Sequence, residues 1–347
     1  MNDGFTIQAE PLVRWAAACL RALDMPDADA RLLADSLVQT SLWGVDSHGI
    51  ARLTHYLERL RRGSIKARPQ LRLTRSAAAT ARLEADQGQG IVVAHRAMAE
   101  AVALARESGI GAVGVTNSSH CGALALYTRP AARQGLVAIA FTHSDAMAAP
   151  QGGRRKFLGT NPIAVALPRA GGPELSLDMA TTAIPWNRVM NARRTGAMLP
   201  PDVALDADGL PTRDAQAARA LCPLGGVDYG HKGYGLAMVV DLLCGPLHAN
   251  PIGPELGDMF NTLDEPRRLG AFFIALDPAR FAGGPLLAEG AARMAEALAE
   301  EPGSPLLPGD PELRCEARRR REGIPIDAAQ AASWRDWSAR LALPAPL

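Results

Sequence analysis

What is scarce in this chain narrows its reading first. Aromatic residues make up only 5% of the 347 positions, so any core must be packed from small and branched aliphatic side chains. Neither sign of charge dominates. With 37 Lys and Arg against 36 Asp and Glu, the formal net charge is +1, which gives no electrostatic pull toward nucleic acid or an anionic membrane. The five cysteines, at positions 19, 121, 222, 244 and 315, are odd in number and widely scattered. They form no Cys-x-x-Cys pair and no zinc-like Cys/His spacing, and read as reduced thiols of a cytoplasmic protein. The opening Met1-Asn2-Asp3-Gly4 lacks the basic-then-apolar order of a signal peptide. The most apolar helical stretch, Gly235 to Leu247, is interrupted by Asp241 and Pro246 and is too short to cross a bilayer. A soluble protein with a substantial core is expected, since 48% of the residues are hydrophobic.

What is present falls into three stretches. The first is helical: Glu10 to Leu23, then a helix opened by Pro26-Asp27, with Asp27 as its cap and Leu33, Leu37 and Leu42 as its stripe. Gly44 ends that helix, and a third is expected from Ile50 to Arg61. From Leu71 the pattern alternates. Strands are predicted at Leu71–Leu73, Ala81–Glu84, Ala112–Val115, Leu136–Phe141, Ile163–Leu167, Leu175–Leu177 and Ala271–Ala275. Helices are predicted at Val92–Arg106, Ala123–Arg133 and Lys232–Leu243. The tail returns to helix at Leu286–Leu298 and Trp334–Leu341. Long and short connections between strands point to an α/β (α+β) chain with a mixed sheet.

Several short motifs fail on inspection. Gly109-Ile110-Gly111-Ala112-Val113-Gly114 fits the glycine-rich dinucleotide fingerprint, but a helix precedes it and a strand follows, the reverse of the order that aims a helix N-terminus at a pyrophosphate. Asp206-Ala207-Asp208-Gly209 resembles a calcium loop whose first and last ligand positions would be Ala204 and Ala215, so it reads as a turn. Val45-Asp46-Ser47-His48-Gly49 lacks the first glycine of a nucleophile elbow. The run Arg318–Arg321 reads as a solvated helix face.

The informative residues are polar groups at element ends. Asn117-Ser118-Ser119-His120-Cys121-Gly122 closes the strand Ala112–Val115 and delivers a histidine there, suited to proton transfer near neutral pH. Ser47, His48 and Arg52 cluster at a helix start, and Thr142, His143 and Ser144 end another strand. Gly159-Thr160-Asn161-Pro162 opens one, Asp178-Met179-Ala180 closes one, and Gly230-His231-Lys232-Gly233 opens a helix. Such ends converging on one sheet edge make a ligand cleft. Arg52 is the natural carboxylate clamp, since its planar guanidinium matches a carboxylate bidentately.

Taken together these residues resemble the type-2 malate/L-lactate dehydrogenase family, which includes ureidoglycolate and sulfolactate dehydrogenases and piperideine-2-carboxylate/pyrroline-2-carboxylate reductases. The resemblance is carried, in order, by Asp46-Ser47-His48-Gly49 with Arg52, by Ser118 to Gly122, and by Leu158 to Pro162. It continues through Leu177 to Ala180, Asp206 to Thr212, His231 to Leu236 and Leu307 to Glu312. It implies NAD- or NADP-dependent interconversion of a small 2-hydroxy acid and its 2-keto acid, or reduction of a cyclic 2-imino acid. It further implies a non-Rossmann cofactor domain at 71–279, a helical domain from 1–70 with 280–347, and a homodimer with its active site near the subunit interface. By position, His120 resembles the family's proton acceptor and Arg52 its carboxylate clamp, with His48 and Ser47 in the same pocket. Ser144, Asp178, Met179, Ala180, Lys232, Gly309 and Glu312 resemble its dinucleotide-binding residues. The chain departs from the family at Thr181 to Arg188, where Pro185 and Trp186 replace a small-residue and Gly-Lys run.

Two other classes stay in view: a non-catalytic dinucleotide-binding protein, which has no need of both His120 and Arg52, and a hydrolase using Ser119 with His120. Adjacent residues at a strand end point apart and make a poor nucleophile–base pair.

Overall fold

The computed structural model describes residues 5–347, so Met1-Asn2-Asp3-Gly4, read above for a leader, lies outside the described residues. The chain opens with a short strand, β1 (Phe5–Ile7), followed by α1 (Ala9–Ala22) and α2 (Asp27–Leu42). Leu12, Ala16, Cys19 and Leu20 of α1 and Ala30, Leu33, Ala34 and Leu37 of α2 recur at helical spacing and are buried. Asp27 does not cap α2. Pro26 holds the cap position, and Asp27 is the first helical residue, its carboxylate accepting from Arg21 Nη1 at 2.7 Å.

The third helix begins later than its periodicity predicts. Two 3-10 turns, Asp46–His48 and Ile50–Arg52, precede α3 (Leu53–Arg62). Gly49 separates them because the chain passes too close to α2 for a side chain: a Cβ there would lie 2.1 Å from Ser41 Oγ. Ser41 Oγ accepts from the Ile50 amide at 2.9 Å and holds the turn in place.

The middle of the chain builds a seven-stranded sheet. In order along the chain come β2 (Arg72–Ala77), β3 (Thr80–Glu84), α4 (Gly90–Ser108), β4 (Ile110–Ser118), α5 (Ala125–Arg133), β5 (Val137–Thr142), β6 (Ile163–Leu167) and β7 (Leu175–Met179). Next are α6 (Trp186–Thr195), a small pair β8 (Ala204–Leu205) and β9 (Ala220–Leu221), α7 (Gly226–Tyr229), α8 (His231–Cys244) and β10 (Leu269–Leu276). The spatial order is β2-β3-β4-β10-β5-β6-β7, with only β3 and β4 parallel. The mixed sheet is as expected, but α6 and the insertion of late β10 between β4 and β5 carry no sequence signal.

One sheet face packs on α4 and α5 through Val113, Val115, Ala138, Ala140, Ala164 and Phe273. Small residues let the layers close, as at Gly111, where a Cβ would lie 2.1 Å from Ala101 O. The opposite face, with Ile139, Phe141, Val165, Phe272 and Ile274, stays half-buried beside α8. Gly109 ends α4 and β4 follows it, so the glycine-rich run stands in helix-then-strand order.

The tail supplies α9 (Gly284–Ala299), α10 (Asp310–Glu322), β11 (Ile324–Ile326) and α11 (Ala328–Arg340). β11 pairs antiparallel with β1. Trp334 and Trp337 enter the same core as Leu12, Trp15, Leu33, Tyr56 and Leu57. Trp15 Nε1 donates to Ser338 Oγ at 2.9 Å, across 323 positions of sequence. Each large side chain so buried contributes about 1.5–3 kcal/mol, which is how the two ends of the chain are held together. The arginine run is not uniformly solvated: Arg319 is buried and donates to Asp46 Oδ1 at 2.5 Å, bracing the loop that carries Ser47 and His48. No helix among the described residues is long and apolar enough to cross a membrane.

Candidate active site

The chain leaves β4 at Ser118 and runs along the start of α4. Ser119 Oγ accepts from the Gly90 amide at 2.8 Å and donates to Gly88 O at 3.0 Å. Both roles are structural, which leaves the hydroxyl no part as a nucleophile. Gly90 is required by contact, since a Cβ on it would lie 2.2 Å from Ser119 O. The next residue, His120, turns into a cleft of about 320 Å³ between the helical ends of the chain and the sheet.

Four side chains of the first stretch reach the same place. Tyr56 Oη lies 2.6 Å from His120 Nδ1. The His48 and His120 ring centres are 5.4 Å apart, and His48 Nδ1 lies 2.8 Å from Ser47 Oγ. Arg52 Nε donates to Ser47 O at 2.6 Å, and its guanidinium carbon stands 5.5 Å from the Phe260 ring centre. Arg52's two terminal nitrogens have no hydrogen-bond partner among the described residues, so an outward edge is left for a carboxylate. Ser47, His48, Arg52 and His120 all line the cleft, and all come from one chain.

The electrostatics suit a base. Burial, and then the neighbouring His48, Arg52, Arg267 and His55, push His120 well below the usual imidazole range. Burial, and then Arg52, lower His48 to about 4. Burial raises Tyr56, which keeps its phenol protonated. With Nδ1 occupied by Tyr56, His120 Nε2 is the ring nitrogen left without a partner among the described residues. The phenol can donate to Nδ1 or accept from it, so the Tyr56 contact supports either neutral tautomer.

The far part of the cleft is made by Leu124, Ala125, Ser144, Met147, Asp178, Met179, Ala180, Trp186 and Glu312, among others. Ser144 is fixed by accepting from the Thr160 amide at 3.2 Å and donating its own amide to Asn161 Oδ1 at 3.2 Å. Asn161 in turn donates to Asp241 Oδ2 on α8 at 2.9 Å. His143, read above with Ser144, is a packing residue that accepts from the Gly270 amide at 2.8 Å. Asp178 Oδ2 accepts from the Ala125 amide at the start of α5, at 2.8 Å. Crowding by the walls raises the Asp178 carboxyl to about 6 against the lowering effect of its backbone hydrogen bonds. The side chain remains open to solvent, so that rise is tempered until a ligand fills the cleft. Arg129, buried at this wall, donates from Nε to Glu174 at 2.7 Å and packs over Trp43, while its Nη2 has no partner among the described residues. An orphan cationic donor, fixed hydroxyl and carboxylate groups, and flat apolar walls from Met147 and Trp186 fit an elongated, partly anionic molecule with aromatic rings.

Two residues expected at this site stand off it. Gly309, with φ +99°, lies behind Ser176, whose amide donates to Pro308 O at 3.0 Å. Lys232 is exposed on the first turn of α8, its ammonium 5.9 Å from the Tyr229 ring centre. Tyr56, Asp145, Met259, Phe260 and Arg267 are cleft or contact residues that the sequence reading missed. Tyr56 had a usable signal, lying one helical turn after Arg52 and so on the same face. Asp145 directly follows the strand-end cluster Thr142-His143-Ser144 and could have been read with it, whereas Met259, Phe260 and Arg267 lie in the irregular segment between α8 and β10, which has no periodicity to read. Two further hollows, of about 400 and 450 Å³, hold neither His48 nor His120, and His95 in the second faces Ser36 at 3.1 Å.

The profile of the malate/L-lactate dehydrogenase family matches residues 7–334. The ureidoglycolate dehydrogenase (NAD(+)) of Escherichia coli is 37% identical over 257 residues, 74% of this chain and 72% of that one. The (2R)-3-sulfolactate dehydrogenase (NADP(+)) of Chromohalobacter salexigens is 35% identical over 318 residues, 91% of this chain and 92% of its own. Among solved structures, the sulfolactate dehydrogenase of Methanocaldococcus jannaschii superposes with a TM-score of 0.91 at 31% identity, covering 98% of both chains.

Proposed function

The chain belongs to the malate/L-lactate dehydrogenase family, and from that membership we propose how its cleft performs the reaction. The activity is NAD(P)-dependent hydride transfer on a small 2-hydroxy acid or the corresponding 2-keto acid. When bound, the dinucleotide supplies the nicotinamide ring that exchanges hydride with the substrate carbon.

Arg52 receives the substrate carboxylate. Its Nε is committed to Ser47 O, which orients the two free terminal nitrogens as a fork. His48 and Ser47 close that side. His120 exchanges the substrate's hydroxyl proton at Nε2 while Tyr56 holds the ring by Nδ1. The observation that carries this reading is the meeting, within one cleft, of a buried histidine with one free ring nitrogen and an arginine with a free edge. Ser144, Asp178, Met179, Ala180 and Glu312 hold the dinucleotide, with Arg129 Nη2 a further donor to it and Gly309 shaping the wall behind Ser176.

The sheet has a single parallel pair, and its glycine-rich run stands in the wrong order for a phosphate turn, which supports a non-Rossmann mode of binding. Residues 71–279 form the cofactor domain, with 1–70 and 280–347 as the helical one, a division favoured by the core that the two chain ends share. The active unit is a homodimer. α8 turns Leu236, Val239 and Leu242 outward at helical spacing, 42%, 51% and 50% exposed, a patch that a monomer rarely leaves to water. Lys232 opens that same helix, so its part in holding the dinucleotide is assigned through the dimer. Five free thiols and the neutral charge favour the cytoplasm.

The test is oxidation of reduced nicotinamide cofactors with a panel of 2-keto and cyclic imino acids, repeated with Arg52→Lys. The keto acids turn over, and Arg52→Lys raises their KM by roughly ten- to hundredfold through loss of the fork, with cofactor KM unchanged. Turnover of none of these acids would sink the reading.

A further inference from the structure

Phe260 lines the cleft from an irregular loop and is 47% exposed, and neither the proton transfer nor the hydride transfer uses it. A lone exposed apolar side chain is ordinary. What sets this one apart is its neighbours. Its ring centre lies 5.5 Å from the Arg52 guanidinium carbon, within the range of a cation–π contact. On another side the His55 ring meets it edge-on, with the two centres 5.8 Å apart.

A ring on a loose loop would hold nothing in place, but this loop is pinned. Buried Arg59 donates to Met259 O at 2.7 Å and to Glu265 O at 3.2 Å, and Ser64 Oγ donates to Leu263 O at 2.6 Å. Arg62 Nη1 donates to Asp264 Oδ2 at 2.9 Å. Asp258 Oδ1 accepts from the Phe260 and Asn261 amides at 2.8 and 2.9 Å, which closes a turn at the ring. Beyond the end of β5, Asp145 accepts from the Met259 amide at 3.2 Å. Arg59 and Arg62 belong to α3, which starts directly after Arg52, and Ser64 lies just past its end. Clamp and ring are therefore both referred to one rigid helix, and their spacing does not depend on the stiffness of the loop. His55 comes from the same helix, with Arg59 Nε donating to its Nε2 at 3.0 Å. Burial, and then Arg59, Arg52 and Arg267, lower His55 to about 3, so it props the Phe260 ring without adding charge beside Arg52.

An arginine–carboxylate pair in open water is weak, because both ions stay hydrated and salt screens them. Arg52 is half-buried, so its pair with a substrate gains strength as water is kept from the side that remains open. An aromatic face suits that task. Its quadrupole attracts the cation, yet it offers no acceptor that would compete for the terminal nitrogens of the fork. We propose that Phe260 is a positioning residue for the carboxylate clamp: its ring steadies the Arg52 guanidinium and keeps water from the pair that Arg52 makes with the substrate carboxylate. The inference rests on the reading of Arg52 given above and adds a residue that acts through it.

Steady-state reduction of pyruvate, oxaloacetate and 3-sulfopyruvate tests it in the unaltered enzyme, Phe260→Ala and Phe260→Tyr, using whichever acid turns over fastest. Each is measured at about 0.1 M and about 1 M salt, between which the screening length falls from about 10 to about 3 Å. At the lower salt Phe260→Ala raises KM for the acid roughly five- to thirtyfold, the scale of a partly shielded cation–π contact. Its kcat moves by no more than about threefold and the dinucleotide KM holds, since the loss is one of acid binding. At the higher salt the ratio of variant to unaltered KM widens by a further factor of about three or more, because the uncovered pair is screened. Phe260→Tyr keeps the ring and stays within about twofold of the unaltered enzyme at both salts. If Phe260→Ala does not fold, as judged by circular dichroism and dinucleotide binding, Phe260→Leu decides, since it stays apolar but has no π face: an acid KM raised about threefold or more at the lower salt supports the assignment, and an unchanged one overturns it. An acid KM unchanged in Phe260→Ala, a rise by the same factor at both salts, or an equal rise in the dinucleotide KM also overturns it. Turnover of none of the three acids by the unaltered enzyme, or an acid KM unmoved by Arg52→Lys, instead overturns the underlying reading of the clamp, a result distinct from a silent Phe260.

Discussion

His120 is the residue on which the proposed chemistry turns, and two measurements bear on it. His120→Asn removes the proton acceptor while leaving the walls of the dinucleotide site intact. A loss of at least about a hundredfold in kcat, with cofactor affinity nearly unchanged, is expected; near-normal turnover would show that another group moves the proton. The pH dependence follows from the direction of the shift. Hydroxy-acid oxidation needs His120 unprotonated, and burial with the surrounding cations holds it below the ordinary imidazole value of 6.5. The kcat/KM for oxidation therefore rises with pH on a limb lying below about 6.5 and is flat above it, as far as this group is concerned. Keto-acid reduction needs the protonated ring, so its kcat/KM falls with rising pH through the same limb. Replacing Arg52 with Met removes one lowering cation and moves the limb upward. A limb above pH 7 in the unaltered enzyme would contradict the buried, cation-flanked environment.

Among the elements, the joint between α2 and α3 sets the position of Arg52, the proposed clamp. Gly49 lies against Ser41, and the 3-10 turn that begins there ends at Arg52. In Gly49→Ala the added Cβ meets Ser41 Oγ and its backbone amide at 2.1 and 3.0 Å, so the turn must lift off α2. A stability loss of about 1–3 kcal/mol is expected, as for an overpacked contact. A rise in KM for the acid should accompany it while KM for the dinucleotide holds. Thermal denaturation and kinetics on the same sample separate the two effects, and unchanged acid KM would show that Arg52 is positioned by α3 alone. This joint also explains why the helix predicted from Ile50 begins at Leu53. Apolar periodicity continues through Ile50 and Leu53, but the close approach at Gly49 tightens the first turn into 3-10 geometry.

For the whole molecule, the two halves of the cleft meet within one chain. Tyr56 touches His120, so Arg52 and His120 reach the same cleft without a second subunit. Mixing inactive Arg52→Ala protein with inactive His120→Ala protein, after subunit exchange, should therefore restore no activity; return to about half of normal per heterodimer would show a site shared between chains. The proposed dimer is tested separately. Leu242→Glu places a charge in the outward apolar stripe of α8, and light scattering should show half the mass of the unaltered protein. An unchanged mass would place the interface elsewhere or leave the chain a monomer.

The order of polar motifs was legible in the sequence because each sits where an element ends, and element ends announce themselves through periodicity and glycine. Ser47, His48, Arg52, His120, Ser144 and Asp178 could be named that way, and the structure brings all six to one cleft. Helix and strand type were legible over the long periodic stretches, and so was the mixed sheet, from the irregular spacing of its strands. Other features had no local trace. Asp27 looks like a cap but finds Arg21 instead, because Pro26 already holds that position. The late strand β10 enters the sheet between β4 and β5 because its alternating apolar face completes a core that neither neighbour closes alone. Arg267 belongs to a loop without periodicity, and only its ion pair with Asp145, which also accepts from the Met259 amide, fixes it at the cleft. Local chemistry is written in the chain as spacing, whereas the pairing of a buried charge with its distant partner depends on which surfaces meet, and that was decided by the tertiary structure.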